Sequence, residues 1–227
     1  MAHSVAQIPL SDLLPFLPAM TASPPPKLGF RNKPAREKLK LVALFALMGA
    51  LVWLSRPTLW LWAGGALVTL LGISIRVWAA GHLPRDQRLA VSGPYGYTRN
   101  PFYLGRLFVL VGFALMSGLQ NAFVWAIFAL GLGFFFFVYL PRKEKREGGR
   151  LEQLFGAQFA AYRAGVPSLF PRFSAYNDPF TPEKRRWSRE LFFAGDGQFS
   201  GNKEAPTALA TLLLIALFLA RLCTLHT

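Results

Sequence analysis

Apolar runs of bilayer length are the feature that most narrows what this chain can become, because a helix needs roughly 17 to 25 predominantly apolar residues to cross a membrane. Such runs occupy residues 39–55, 58–80, 103–119, 121–140 and 207–225. The middle three meet the requirement most fully, the first is at the short limit, and the last is interrupted by Arg221, close enough to its end to snorkel to the interface. With 53% of residues hydrophobic, 16% charged and a mean hydropathy of +0.33, the composition excludes an ordinary soluble domain. The sequence predicts an all-α integral membrane protein of about five transmembrane helices.

The net charge of +14 invites a nucleic-acid reading, but the basic residues alternate along the chain as membrane topology requires. Lys27, Arg31, Lys33, Arg36, Lys38 and Lys40 precede or open the first run, Arg85, Arg88 and Arg99 follow the second, and Arg142, Lys143, Lys145, Arg146 and Arg150 follow the fourth. The intervening hairpins carry Arg56 alone, or no charge around residues 118–121. The positive-inside rule therefore puts the amino terminus, the loop around Tyr95 and residues 142–205 in the cytoplasm, with anionic lipid rather than nucleic acid as the partner.

Organisation follows from these runs. Residues 1–38 read as a disordered or surface-lying basic extension, rich in proline and without the basic start of a signal peptide. Residues 39–171 form the core, 172–205 an interfacial segment, and 206–227 a last transmembrane helix. In the interfacial segment, Thr181-Pro182 predicts a helix start, Gly195 its end, and Trp187, Leu191 and Phe192 its apolar face. The single cysteine, Cys223, excludes an internal disulfide, and His3, His82 and His226 are too scattered to suggest a metal site. Gly131-Leu132-Gly133 lies inside an apolar run and, like Gly64, Gly65 and Gly72, reads as helix packing rather than a nucleotide loop.

Two segments carry chemistry. In the first, Gly93-Pro94-Tyr95-Gly96-Tyr97-Thr98-Arg99-Asn100-Pro101-Phe102-Tyr103-Leu104-Gly105, helix breakers and directed hydrogen-bonding groups stand between two apolar runs. Its plain alternative is an interfacial loop with an aromatic belt. In the second, Leu151, Leu154, Phe155, Phe159 and Tyr162 recur at helical spacing, and one turn before Leu151 stands Glu147. A carboxylate on an inward stripe needs a partner, either a ligand or a salt bridge to Arg99, Arg150 or Lys143. Gly148-Gly149 predicts that this helix begins only after them, with Glu147 at its mouth, and Glu144, about 60° off the stripe, is expected to be solvated.

The stretch from Leu71 to His82, followed by Gly93-Pro94-Tyr95 and Arg99-Asn100-Pro101-Phe102-Tyr103-Leu104-Gly105, resembles the isoprenylcysteine carboxyl methyltransferase family, which is related to phospholipid methyltransferases. Glu147, Leu151, Phe155-Gly156, Phe159, Tyr162 and Val166-Pro167 continue the pattern, so the resemblance covers about residues 71–171. It implies a membrane enzyme that binds S-adenosylmethionine in a cytoplasmic pocket, formed by the loop before the third span and the helix after the fourth, with a lipidic or hydrophobic acceptor entering from the bilayer. By position it implies cofactor contacts from Gln87, Arg88, Leu89, Ala90, Tyr95, Asn100, Pro101, Phe102, Tyr103 and Glu147. Arg99 and Tyr103 are the expected catalytic residues, and Arg142 and Lys143 the acceptor-binding pair; no metal is expected.

Two departures bear on mechanism: Asn100 stands where eukaryotic members have His, and Gly148 where a second Glu is usual. An amide cannot titrate near neutrality, which favours methylation of a carboxylate, already ionised, over an amine that must first lose a proton. Phospholipid N-methylation stays open as the alternative. An NADPH-dependent membrane sterol or enone reductase, similar through a His-Pro-Asn-Tyr loop, ranks lower because residues 100–103 lack that His and the Asn after Pro, and a non-catalytic scaffold leaves the paired motifs unexplained.

Overall fold

Glycines seven residues apart decide how the two most intimately packed helices meet. In the computed structural model, which describes residues 35–84, 88–118, 122–181, 185–193 and 201–226, α2 (Leu59–Ala80) and α3 (Pro101–Ser117) lie antiparallel. Gly72 faces the Gly105 backbone, Gly65 faces the Gly112 backbone, and a Cβ on Gly72 would sit 2.6 Å from the Gly105 carbonyl oxygen. Small residues are what let two helix backbones approach this closely. Gly64, Gly131 and Gly133 differ from expectation: a Cβ on any of them would meet nothing within 4 Å.

The chain divides into two units, residues 1–46 and 47–227. Of the first, the described part is the opening of α1 (Ala35–Leu54). In the second, Thr58 caps α2 by accepting from the Leu61 amide at 3.4 Å. Pro101 opens α3, where its missing N–H costs nothing, and Gly118 closes it in the left-handed conformation (φ 54°).

After α4 (Ala122–Phe134) the chain does not stop at residue 140 as the apolar run suggested. It passes through one wide π turn, Phe135–Tyr139, directly into α5 (Leu140–Gly165). Pro141 accounts for the wide turn: it cannot donate to the carbonyl one turn back and its ring crowds that group, so the Leu140 amide bonds Phe135 instead. Nor do Gly148 and Gly149 mark a helix start. The helix runs through both, with Gly148 buried beside Phe159, and breaks at Gly156 (φ 46°, ψ −121°). Packing against an aromatic ring outweighs a propensity cost of about 1 kcal/mol.

The interfacial helix is also shorter than expected. Among the described residues it is α6 (Arg189–Phe193), which Ser188 caps by accepting from the Leu191 amide, while residues 185–188 are not helical. Pro182 and Gly195 lie outside the described residues. Trp187 donates to the Val77 carbonyl (3.2 Å), the Ser188 amide bonds Gly81, and Phe192 packs on Ala79, Ala80, Tyr95 and Phe102. The segment is therefore docked on the end of α2.

The last helix, α7 (Gly201–His226), begins before Pro206 and runs antiparallel to α2: Trp62 donates to the Ile215 carbonyl near one end, and Arg76 pairs with Glu204 near the other. The Arg221 guanidinium lies over the Trp53 ring. Leu59–Ala80 and Lys203–Leu225 are both long and apolar enough to cross a membrane, while the apolar α3 has 17 residues. The described residues are helical without a strand, as expected of a membrane protein of this composition.

Candidate functional site

The two chemistry-bearing segments are joined by a third, of which the sequence had marked only Val166-Pro167. Residues 166–176, emerging from α5, run alongside residues 96–100 and exchange backbone hydrogen bonds with them: Arg99 donates to Pro167, Arg172 to Tyr97, and Tyr176 to Gly96, at 2.8–3.0 Å. The Thr98 hydroxyl reaches the carbonyls of Ser168 and Leu169, and the Asn100 amide donates to the Ser168 carbonyl at 3.0 Å. Asn100 is thereby committed to holding the loop. Gly93 begins the loop at φ 60°, with the buried His82 ring against it; that ring is fixed by a 2.9 Å bond between Nδ1 and the Trp78 carbonyl.

These contacts aim Arg99 at α5. Its guanidinium pairs with Glu144 at 2.5 Å, and Glu144 accepts a second bond from the Ser168 hydroxyl at 2.9 Å. Glu144, expected to be solvated, thus sits at the junction of all three segments, because the helix already exists at residue 144 and turns that position toward the loop. Glu147 is the more exposed carboxylate, 49% accessible, and pairs with Lys143 one turn back at 3.0 Å. Lys143 in turn stands 3.9 Å over the Tyr103 ring, with Arg106 at 5.6 Å from the same ring.

Between loop and helix lies a cavity of about 520 Å³, within the range of small-molecule and cofactor sites. From the loop side it is lined by Arg88, Leu89, Ala90, Tyr95, Arg99, Asn100, Pro101, Phe102 and Tyr103, and from α5 by Glu144, Glu147, Gly148, Arg150, Leu151, Phe155, Phe159 and Tyr162. Its floor is the packed cluster of Leu89, Phe159, Tyr162 and Val166. The Tyr162 hydroxyl donates to the Tyr95 carbonyl at 2.8 Å and fixes the height of the loop over the helix. Burial pushes the Tyr162 phenol well above its ordinary pKa, against the opposing pull of the Arg99 charge. Tyr176, edge-on to it at 5.6 Å, is raised by burial and then by Asp178.

The residues expected to contact the cofactor line one cavity apart from Gln87, and the pair expected to bind the acceptor does not line it. Gln87 lies outside the described residues. Arg142 is exposed and does not line the cavity, and Lys143 stands behind Tyr103 rather than in the wall. Glu144 and Ser168 are the polar residues that sequence reasoning missed; the available signal was the helical register of Glu144, one turn before Gly148, once Gly148 is seen to be inside the helix. Among the described residues no group of three His, Cys, Asp or Glu side chains could hold a metal ion.

A helical chain with two helices long and apolar enough to cross a membrane and a mixed-charge cavity of cofactor size is consistent with a membrane protein that binds a small molecule. Comparison with known proteins narrows it: the model of the phospholipid methyltransferase family matches residues 58–146, which include the whole loop and Glu144. The resemblance expected from the motifs is borne out at that level. The chain is also 31% identical over 128 residues to the cobalt-zinc-cadmium resistance protein CzcN of Cupriavidus metallidurans, an alignment covering 53% of this chain and 56% of that one. The chain thus spans about half the length of the curated relative it matches. No solved structure matches it.

Proposed function

We propose that the chain is an S-adenosylmethionine-dependent membrane methyltransferase acting on a lipidic or hydrophobic acceptor, with carboxyl O-methylation favoured over phospholipid N-methylation. The observation that carries this reading is the cavity at which the loop and α5 meet within a chain whose residues 58–146 match a methyltransferase family. The relative's name describes that protein and supplies no acceptor for this one.

The wall chemistry fits the cofactor. Three arginines and two glutamates line the cavity, a mixed set suited to a ligand carrying both an ammonium and a carboxylate, and Leu89, Phe102, Phe155 and Phe159 offer apolar surface to a flat heterocycle. The buried Arg99 Nε has no hydrogen-bond partner among the described residues, a donor left for a ligand to satisfy. Arg88 and Arg150 would hold the cofactor's carboxylate, and Glu147 its ammonium or ribose hydroxyls. When bound, the cofactor supplies an electrophilic methyl group on a sulfonium.

The chain's own part is positioning and exclusion of water. Glu144 and Ser168 fix Arg99, Tyr162 fixes the loop, and α6 with Phe192 packs behind Tyr95 and Phe102. Lys143 over the outer face of Tyr103, though outside the wall itself, adds positive potential on that side of the cavity, which attracts a carboxylate and disfavours a protonated amine. Asn100, bound to Ser168, offers no base to deprotonate one. In the same reading the chain has five spans, with the amino terminus and cavity cytoplasmic, residues 1–38 as an extension, 39–171 as the catalytic core, 172–205 as the interfacial segment and 206–227 as the last span.

Cells with and without the protein, fed methyl-labelled methionine, test the assignment by mass spectrometry of lipids and hydrophobic acids. A labelled methyl ester that depends on the protein and disappears in Arg99→Gln supports it. Label only in phospholipid amines selects the N-methylation alternative, and no protein-dependent label removes the enzyme reading.

A further inference from the structure

A second cavity, about 280 Å³, opens between α2, α3 and α7 and shares no lining residue with the first. Its charged residues are Arg76, Arg106, Lys203 and Glu204. Arg76 is satisfied: its Nε and Nη2 form a two-pronged pair with the Glu204 carboxylate at 2.8 Å each, and its Nη1 donates to the Phe102 carbonyl at 3.2 Å. This pair consumes the one carboxylate lining the cavity. Arg106 and Lys203 form no salt bridge among the described residues, and the one carboxylate, already engaged by Arg76, also feels the Arg106 charge, so three cations share one anion. Such an excess of positive charge between apolar helices is costly unless something anionic joins it.

The surroundings say what kind of anion. One turn from Ile73 on α2 is Leu70, one turn from Arg106 on α3 is Leu110, and one turn from Ala208 on α7 is Leu212. Because α2 is antiparallel to both other helices, all three leucines lie on the same side of the charged cavity, toward the middle of the apolar helices, and all three are exposed. A cationic recess with exposed leucines beneath it matches the layout of a phospholipid, phosphate at the polar end and acyl chains along the apolar one.

We propose that this cavity binds the phosphate of an anionic phospholipid, held by Arg106 and Lys203 beside the Arg76–Glu204 pair. The site requires that the chain lie in a membrane but not that it transfer methyl groups, so its test stands apart from that of the catalytic reading. The net positive lining selects a headgroup such as phosphatidylglycerol over phosphatidylcholine, whose choline brings a cation back to the recess.

Native mass spectrometry of the full chain in detergent, titrated with phosphatidylglycerol, phosphatidylcholine or inorganic phosphate, measures this directly. Losing one charge-assisted contact should weaken phosphatidylglycerol binding about tenfold in Arg106→Gln and in Lys203→Gln. Arg106→Lys should retain most of it, and Arg146→Gln, an exposed cation on α5, should not change it. Lys203 is exposed, so its variant folds even where Arg106→Gln does not. Equal binding by wild type, Lys203→Gln and Arg146→Gln overturns the site. Inorganic phosphate bound as tightly as the lipid, with the same variant dependence, overturns the lipid assignment in favour of a free anion.

Discussion

Glu144→Gln is the substitution whose consequence the structure makes most definite. The glutamine keeps the shape but removes the charge that pairs with Arg99 and accepts from Ser168. A hydrogen bond to a charged group is worth about 1.5–3 kcal/mol, and breaking a buried pair costs about 3–5 kcal/mol. Here the two side chains are 15% and 27% accessible, so solvent screens part of the loss and about 1–2 kcal/mol remains. For a chain of this size that is a fall of roughly 2–8 °C in unfolding temperature. Glu147→Gln breaks only a half-exposed i,i+4 pair, worth about 0.3–0.5 kcal/mol and screened by salt. Circular dichroism melts of both variants in detergent, at low and high salt, separate the two. The larger fall should belong to Glu144→Gln and persist in high salt. Equal falls, or a Glu144→Gln protein as stable as wild type, would refute the argument that this pair ties the loop to α5.

Gly156→Ala should destabilise by about 1–2 kcal/mol, because φ of 46° is strained for any residue with a Cβ, whereas Gly149→Ala, helical and with open space around it, should gain about 0.5–1 kcal/mol; thermal melts of the pair check both signs. Gly72→Leu should cost well over 1 kcal/mol, since its Cβ meets the Gly105 backbone, while Gly64→Leu should be nearly neutral. Tyr162 stays protonated in the fold above its ordinary pKa of 10.0, so its contribution to stability is complete below that pH and declines as pH rises beyond it; Tyr162→Phe should flatten this part of an alkaline melting series and lose about 1 kcal/mol at neutral pH. Cysteines at Ser92 and Gln153, in a Cys223→Ser background, should both resist an impermeant thiol reagent in intact cells; labelling of just one would place loop and helix on opposite sides of the membrane.

How much of this was legible in the sequence depends on the range of the forces involved. The loop around Arg99-Asn100-Pro101 was visible because proline and glycine act locally, and the Leu151–Tyr162 stripe because helical periodicity is local too. The error at Gly148-Gly149 came from giving propensity a decision that burial beside Phe159 made instead. That error hid Glu144, whose direction is set by a helix already running at Leu140. The 166–176 strap carries no periodic pattern; what fixes it is backbone hydrogen bonding to residues about 70 positions earlier, on which a single sequence is silent. The Arg76–Glu204 pair was equally out of reach, because α2 and α7 meet across 128 positions of sequence.

The most direct test of the central claim is equilibrium binding of S-adenosylmethionine and its demethylated product to the purified chain, followed by calorimetry in detergent with NADPH as the counter-ligand. Both sulfur compounds should bind, affinity should fall about tenfold or more in Arg99→Gln, whose variant loses a charged donor in the cavity wall, and NADPH should give no heat. Heat from NADPH with none from either sulfur compound would contradict the methyltransferase reading and move the cavity to the reductase class.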